Sequence, residues 1–154
     1  SWQGAEIRRL VDEEFAPYSV GNQISLSGPE VQLRPATAQT LALALHELVT
    51  NSAKYGALST QSGRLSVSWE NEDGQLRLVW REEGGPPVQA PVTRGFGTRS
   101  VIASIESQLG GRADFDWRSE GLLCLLLVPL SPQPAMSERS GARETAVGLA
   151  GSRL

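Results

Sequence analysis

The chain has 154 residues, 40% of them hydrophobic and 20% charged, a globular composition long enough for one domain with a substantial core. Its net charge of -3 excludes the general basic field that attracts nucleic acid or an acidic membrane surface. One histidine and one cysteine exclude a classical zinc site, and the absence of a signal peptide or bilayer-length apolar run indicates a reducing, cytoplasmic setting, with Cys124 a buried structural thiol.

Apolar periodicity predicts a helix over residues 4–17, followed by short extended segments at 23–26 and 31–33. A long helix is predicted from about Thr37 to Lys54. Its apolar residues recur at helical spacing, a proline lies just before it, and a glycine suits its end.

Two alternating segments, 65–70 and 76–81, predict a hairpin that turns at Asp73-Gly74. Residues 82–98 are rich in glycine and proline without any period, which predicts a long loop. Loops of this length in small domains are usually functional lids or disordered connectors.

The last elements predicted are a helix over 98–109 and a hairpin that pairs 112–118 with 122–128. This order predicts an α+β fold, a two-layer sandwich with helices on one face of a mixed, mostly antiparallel sheet. We expect residues 1–130 to form the domain and 131–154 a flexible tail.

Glu47, Asn51 and Lys54 share one side of the long helix, because their spacing is i, i+4, i+7. A magnesium ion prefers oxygen ligands, retains waters and is completed by substrate phosphates, while a lysine meets phosphate as a point charge. The spacing alone, however, favours the solvated side of an amphipathic helix.

Two further segments each allow two interpretations. Glu82, followed by glycines at a strand end, can accept a hydrogen bond from an adenine amino group or can simply precede a turn. The segment Arg94–Arg99 places glycines before a helix, where backbone N–H groups bind an anion or merely begin the helix. Trp69 and Trp80 are expected in the core rather than in a site.

The order of these segments resembles the Bergerat-type ATP-binding fold shared by histidine kinases, gyrase and mismatch-repair ATPases. More narrowly, residues 46–59 resemble the asparagine box of the HWE subfamily of bacterial sensor histidine kinases. That subfamily is named for a histidine in this box and a Trp-x-Glu in the first glycine box, here His46, Trp80 and Glu82. The resemblance extends from about Trp2 to Pro129.

The resemblance implies a domain that binds ATP and Mg²⁺ and transfers the γ-phosphoryl group to a histidine on a separate phosphoacceptor and dimerisation domain, and thence to a response regulator. Asn51 would ligate the magnesium ion. Glu47 would be the acid-base or water-holding carboxylate, and Lys54 would contact phosphate.

The resemblance also assigns the base and the lid. Tyr55 would pack near the nucleotide, Glu82 would read the adenine amino group in place of the usual aspartate, and Gly84 would allow close approach.

The second glycine box of the lid corresponds to Gly95, Phe96 and Gly97, whose N–H groups would face the phosphates. Thr98 and Arg99 follow it where an apolar residue is usual, and Arg99 offers a guanidinium to phosphate.

No histidine precedes His46, so the chain is expected to be a catalytic domain without its phosphoacceptor, from a homodimeric parent kinase. We expect no contact of this domain with nucleic acid or membrane. Helix periodicity directs His46 away from the trio, towards a packing or solvent position. Two alternatives stay open: an ATP-hydrolysing or serine-phosphorylating relative of the same fold, and a degenerate module that only binds partners.

Overall fold

The computed structural model describes residues 4–18, 21, 23–87 and 96–131. In chain order the helices and strands are β1 (Ala5–Glu6), α1 (Ile7–Phe15), β2 (Ile24–Ser27), β3 (Gln32–Leu33), α2 (Pro35–Tyr55), β4 (Arg64–Glu72), β5 (Gln75–Glu83), α3 (Phe96–Ile102), β6 (Arg112–Arg118) and β7 (Gly121–Pro129). Short 3-10 turns follow α1 at Ala16–Tyr18 and α2 at Ala57–Ser59, and a π-helical segment, Ala103–Gln108, continues α3.

Five strands form the main sheet in the order β2-β4-β5-β7-β6. β2 runs parallel to β4, and the remaining pairs of this sheet are antiparallel. β1 and β3 form a separate two-stranded antiparallel sheet. The mixed, mostly antiparallel sheet that the sequence predicts is therefore confirmed.

The helices cover one face of the main sheet. Alternation along β5 directs Leu76, Leu78 and Trp80 to this face, where all three are fully buried. Phe15 of α1 stacks on Trp80 with a centroid distance of 5.5 Å, and both α1 and α3 pack against α2. Burial of these apolar surfaces between helices and sheet stabilises the two-layer α+β architecture.

The core also contains Cys124, which lies on the inner face of β7 and is fully buried, as predicted. Burial raises the pKa of the Cys124 thiol, and the Asp114 and Glu82 carboxylates raise it further. None of the described helices is long and apolar enough to cross a membrane.

Several predicted boundaries were wrong. α1 begins at Ile7 rather than at residue 4, because Ala5–Glu6 pairs with β3. α2 begins two residues before Thr37, at Pro35, which occupies the first helical turn where a missing N–H costs nothing.

The predicted long loop also begins later, because β5 continues to Glu83, and ends earlier, because α3 begins at Phe96. Glu82 stays in the strand because its backbone pairs with Leu65 of β4. Of the predicted tail, residues 132–154 lie outside the described part of the chain.

Candidate functional site

A cleft opens between the carboxyl-terminal half of α2 and the adjoining ends of β5, β6 and β7. α2 reaches it because the opposite stripe of the helix, including Leu45 and Val49, is buried against the sheet. The cleft is lined by Leu48, Asn51, Tyr55, Gly56, Ala57, Glu82, Glu83, Gly85, Pro86, Pro87, Phe115, Trp117, Gly121 and Leu122.

The carboxylate of Glu82 lies at the base of this cleft and is almost wholly buried, with 6% of the residue exposed. Its Oε1 accepts the backbone N–H of Ala57 at 2.9 Å, and its Oε2 accepts the indole N–H of Trp80 at 2.8 Å. Burial raises the pKa of Glu82, whereas hydrogen bonds from Trp80, Ala57 and Ser52 oppose that rise. The Trp-x-Glu motif is thus one hydrogen-bonded unit that joins β5 to the end of α2.

Glycines allow the chain to pack closely around this unit. A Cβ on Gly56 would collide with Oε1 of Glu82, and a Cβ on Gly85 would lie 2.9 Å from the carbonyl carbon of Gly56. Gly84 has a φ of +75°, and its carbonyl accepts the Ser62 hydroxyl at 2.8 Å. Gly85 lines the cleft, whereas the predicted Gly84 is its neighbour and is not among the lining residues.

The predicted helix trio divides between the cleft and the solvent. Asn51 lines the cleft, as does Tyr55, which is 61% exposed. Glu47 is half-buried one turn before Asn51, and Lys54 is exposed. Within the described residues neither Glu47 nor Lys54 has a hydrogen-bond or ion-pair partner, so both remain available to a ligand.

Part of the predicted lid can be placed. Gly95 lies outside the described residues, and Phe96 and Gly97 begin the backbone of α3. Thr98 is buried and Arg99 is exposed. Because α3 packs against α2, the helix that follows the lid lies beside the helix that carries Asn51.

Two aromatic residues of the cleft were missed from the sequence. Phe115 and Trp117 of β6 both line it, and their rings stack with centroids 6.0 Å apart and planes inclined by 19°. Their alternation with Asp114 and Asp116 signals only that they share one face of a strand. The pairing of β6 with β7 is what brings that face to Glu82.

His46 lies away from the cleft, as its position on the helix predicts. Its Nδ1 is 3.1 Å from Oε1 of Glu14 in α1, and 64% of the His46 side chain is exposed. The residue therefore links the two helices at the surface.

No family model matches the chain, but its sequence and its fold are both similar to those of histidine kinases. Over 133 residues the chain is 39% identical to blue-light-activated histidine kinase 1 of Erythrobacter litoralis (strain HTCC2594), an alignment that covers 83% of this chain and 37% of that protein. The chain therefore spans little more than a third of the length of this curated relative.

Solved structures agree on the fold. The catalytic domain of histidine kinase ThkA superposes with a TM-score of 0.68 at 17% identity, covering 86% of this chain and 99% of that domain. ThkA in complex with response regulator protein TrrA superposes with a TM-score of 0.65 at 16% identity, covering 84% of this chain and 42% of that chain. The fold is that of histidine-kinase catalytic domains, the Bergerat fold. In sequence the chain is therefore similar to one portion of blue-light-activated histidine kinases, and in fold it is similar to histidine-kinase catalytic domains.

Proposed function

We propose that this domain binds Mg-ATP in the cleft and transfers the γ-phosphoryl group to a histidine on the phosphoacceptor and dimerisation domain of its parent kinase. The observation that carries the proposal is the convergence of Asn51, Tyr55 and Glu82 on one cleft. A carboxamide, an aromatic ring and a buried carboxylate in one cleft suit a magnesium ion, a base and an exocyclic amino group.

At the base end, Glu82 accepts a hydrogen bond from the adenine amino group. Three of its lone-pair sites already accept the Ala57 N–H, the Trp80 indole N–H and the Ser52 hydroxyl. A carboxylate has about four such sites, so one remains for a ligand donor. Tyr55 packs on the base, and the bare backbone of Gly85 permits close approach at the cleft wall.

At the phosphate end, the carbonyl oxygen of Asn51 would hold the magnesium ion, which when bound would supply charge neutralisation for the transferring group. Lys54 and Arg99 supply cations to the phosphates, and the glycine box Gly95-Phe96-Gly97 is proposed to bind them through backbone N–H groups.

During transfer, the bond from the γ-phosphorus to the β–γ bridging oxygen breaks and a bond to the acceptor imidazole nitrogen forms. Glu47 takes the proton that the imidazole loses, or holds it through one water, and ADP leaves. Positioning and charge neutralisation supply most of the acceleration, because the protein forms no covalent bond itself.

The second partner is a response regulator, whose aspartate receives the phosphoryl group from the histidine. The complex of ThkA with the response regulator TrrA supports this class of partner. We further propose a homodimeric parent kinase and a cytoplasmic location for this domain.

The decisive experiment mixes the chain with γ-labelled ATP and a separately prepared phosphoacceptor helix pair, with and without a magnesium chelator. We expect magnesium-dependent label on the helices that is acid-labile and alkali-stable, as phosphohistidine is. Label released as free phosphate supports the ATP-hydrolysing alternative, and acid-stable label supports serine phosphorylation. A chain that fails to bind ATP at all contradicts the proposal and supports a module that only binds partners.

A further inference from the structure

The aromatic pair of β6 forms an apolar wall of the cleft that the proposed function does not yet use. Phe115 and Trp117 are half-buried, whereas Ala113, two residues earlier on the same strand face, is buried. The two rings therefore lie where the core opens into the cleft, on the edge strand of the sheet. An aromatic wall beside a buried hydrogen-bonding carboxylate suits a planar heteroaromatic ligand.

Covering the open end of the core is the simplest role for such rings, and Phe115 needs no other. The indole N–H of Trp117 argues for more. Trp69 donates its indole N–H to the Pro29 carbonyl at 2.8 Å, and Trp80 donates to Glu82 at 2.8 Å. The Nε1 of Trp117 is shielded from solvent and has no hydrogen-bond partner among the described residues.

A buried donor without an acceptor is unfavourable and rare in native proteins. A phenylalanine at this position would cover the same surface without that penalty. The unpaired N–H is explained if its acceptor arrives with the ligand, and a purine carries several acceptor nitrogens in its ring. Trp117 lines the cleft, and a turn of its indole ring on ligand binding would direct the N–H towards a bound base.

We propose that Trp117 is a specificity-determining residue of the cleft, which donates its indole N–H to a ring nitrogen of the purine of the nucleoside triphosphate. This inference rests on the proposed function, since it names the base contact of the same site. Phe115 stacks on the indole on the same face of β6. Trp117 as donor and Glu82 as acceptor together read an acceptor nitrogen and an exocyclic amino group, a combination that adenine presents.

The test uses titration calorimetry of the unaltered chain with a non-hydrolysable ATP analogue and with analogues that replace N1, N3 or N7 of adenine by C–H. We expect one of the three replacements to weaken binding about tenfold, which corresponds to about 1.4 kcal/mol. This part needs no substitution and therefore cannot fail through misfolding. Equal binding of all three analogues and the parent nucleotide would overturn the hydrogen bond.

Variants then assign the effect to the residue. Trp117→Phe keeps a ring but removes the N–H, so ATP should bind about tenfold more weakly and the sensitive analogue should bind as it does to the unaltered chain. Trp117→Leu should weaken ATP further while leaving magnesium tripolyphosphate unaffected. Trp69→Phe removes an indole N–H outside the cleft and serves as the control for a general loss of stability.

The outcomes distinguish a failure of the Trp117 inference from a failure of the proposed ATP-binding function. If the unaltered chain does not bind ATP, the proposed function fails and the inference with it. If the chain binds ATP but Trp117→Phe retains both the affinity and the discrimination between analogues, the inference alone fails and Trp117 only covers the core.

Discussion

The two ends of the cleft are built differently, although residues of α2 contribute to both. At the base end, Glu82 is buried and held by Ala57 and Trp80. At the proposed phosphate end, Glu47 and Lys54 lie on α2 beside the cleft-lining Asn51 without lining the cleft themselves. Neither has a partner within the described residues, and Lys54 is exposed. Groups that are fixed by packing contribute to folding stability, whereas solvated groups contribute little until a charged ligand arrives. Substitutions should therefore affect stability at the base end and activity at the phosphate end.

The largest expected effect is on phosphoryl transfer at the phosphate end. Glu47→Gln removes the proposed proton acceptor and should lower the transfer rate by about 10²–10⁴-fold. The free energy of unfolding should change by less than about 0.5 kcal/mol, because the side chain has no partner in the described structure. Label transfer and urea denaturation measure the two quantities. Glu70→Gln, an exposed carboxylate of β4 outside the cleft, is the control. Undiminished transfer would remove Glu47 from the site.

The converse is expected at the base end. Glu82→Gln turns an amide NH₂ towards either Ala57 or Trp80, both of which are donors. The free energy of unfolding at neutral pH should fall by about 1–3 kcal/mol. Glu83→Gln is a matched control for stability, since Glu83 is the exposed neighbour of Glu82 on β5. If urea denaturation gives the same loss for both variants, the hydrogen-bonded unit is not what holds this end.

The burial of Glu82 should also make the free energy of unfolding depend on pH. Burial raises the pKa of Glu82, so the unfolded chain releases this proton before the folded chain does. The stability contributed by the protonated carboxyl is complete below the ordinary glutamate pKa of about 4.3 and is lost as pH rises through the raised value. The unaltered chain should therefore lose stability relative to Glu82→Gln across that window, as measured by denaturation at a series of pH values. A difference that does not change with pH would contradict the burial argument.

A smaller effect, on nucleotide affinity, is expected at Lys54, and it distinguishes contact with the phosphates from contact with the base. Lys54→Ala should weaken ATP binding about fivefold to tenfold, and less so at high salt, because an exposed charge is screened. Binding of adenosine should be unchanged. Arg64→Ala removes an exposed cation outside the cleft lining and is the calorimetric control. An equal loss for ATP and adenosine would mean that Lys54 supports the fold and not the phosphates.

The smallest effect is expected at the subfamily histidine. His46→Ala removes an exposed pair with Glu14, which is worth at most about 0.5 kcal/mol. Thermal unfolding should shift little, and nucleotide affinity should stay the same. A large loss of affinity would give His46 a role that its distance from the cleft lining does not suggest.

Much of this fold could be predicted from local pattern. Alternation located the strands of both hairpins, and helical periodicity located α2, because each pattern reflects which side of an element is buried. The predicted loop began too early because Glu82 is an acidic residue two positions before a pair of glycines. Its backbone pairing with Leu65 of β4 and its side-chain hydrogen bond to Ala57 override that local preference.

The sequence predicted the site residues that lie on one helix and missed those that only strand pairing brings to the cleft. Asn51 and Tyr55 follow from one helix and line the cleft. Phe115 and Trp117 are about sixty residues further along and reach the cleft only through the β6–β7 and β5–β7 pairings. Neither composition nor periodicity encodes that proximity. Gly85 likewise lines the cleft because it packs against the backbone of Gly56 and Ala57, about thirty residues earlier in the chain.

The proposed function depends most on Asn51, the residue that is proposed to join magnesium to nucleotide in this cleft. Titration calorimetry with a non-hydrolysable ATP analogue, with and without Mg²⁺, tests it on the unaltered chain and on Asn51→Ala. We predict binding that magnesium strengthens in the unaltered chain and a loss of that strengthening in the variant, with unfolding stability retained. Absence of binding heat, or an affinity that Asn51→Ala leaves untouched, would contradict the account.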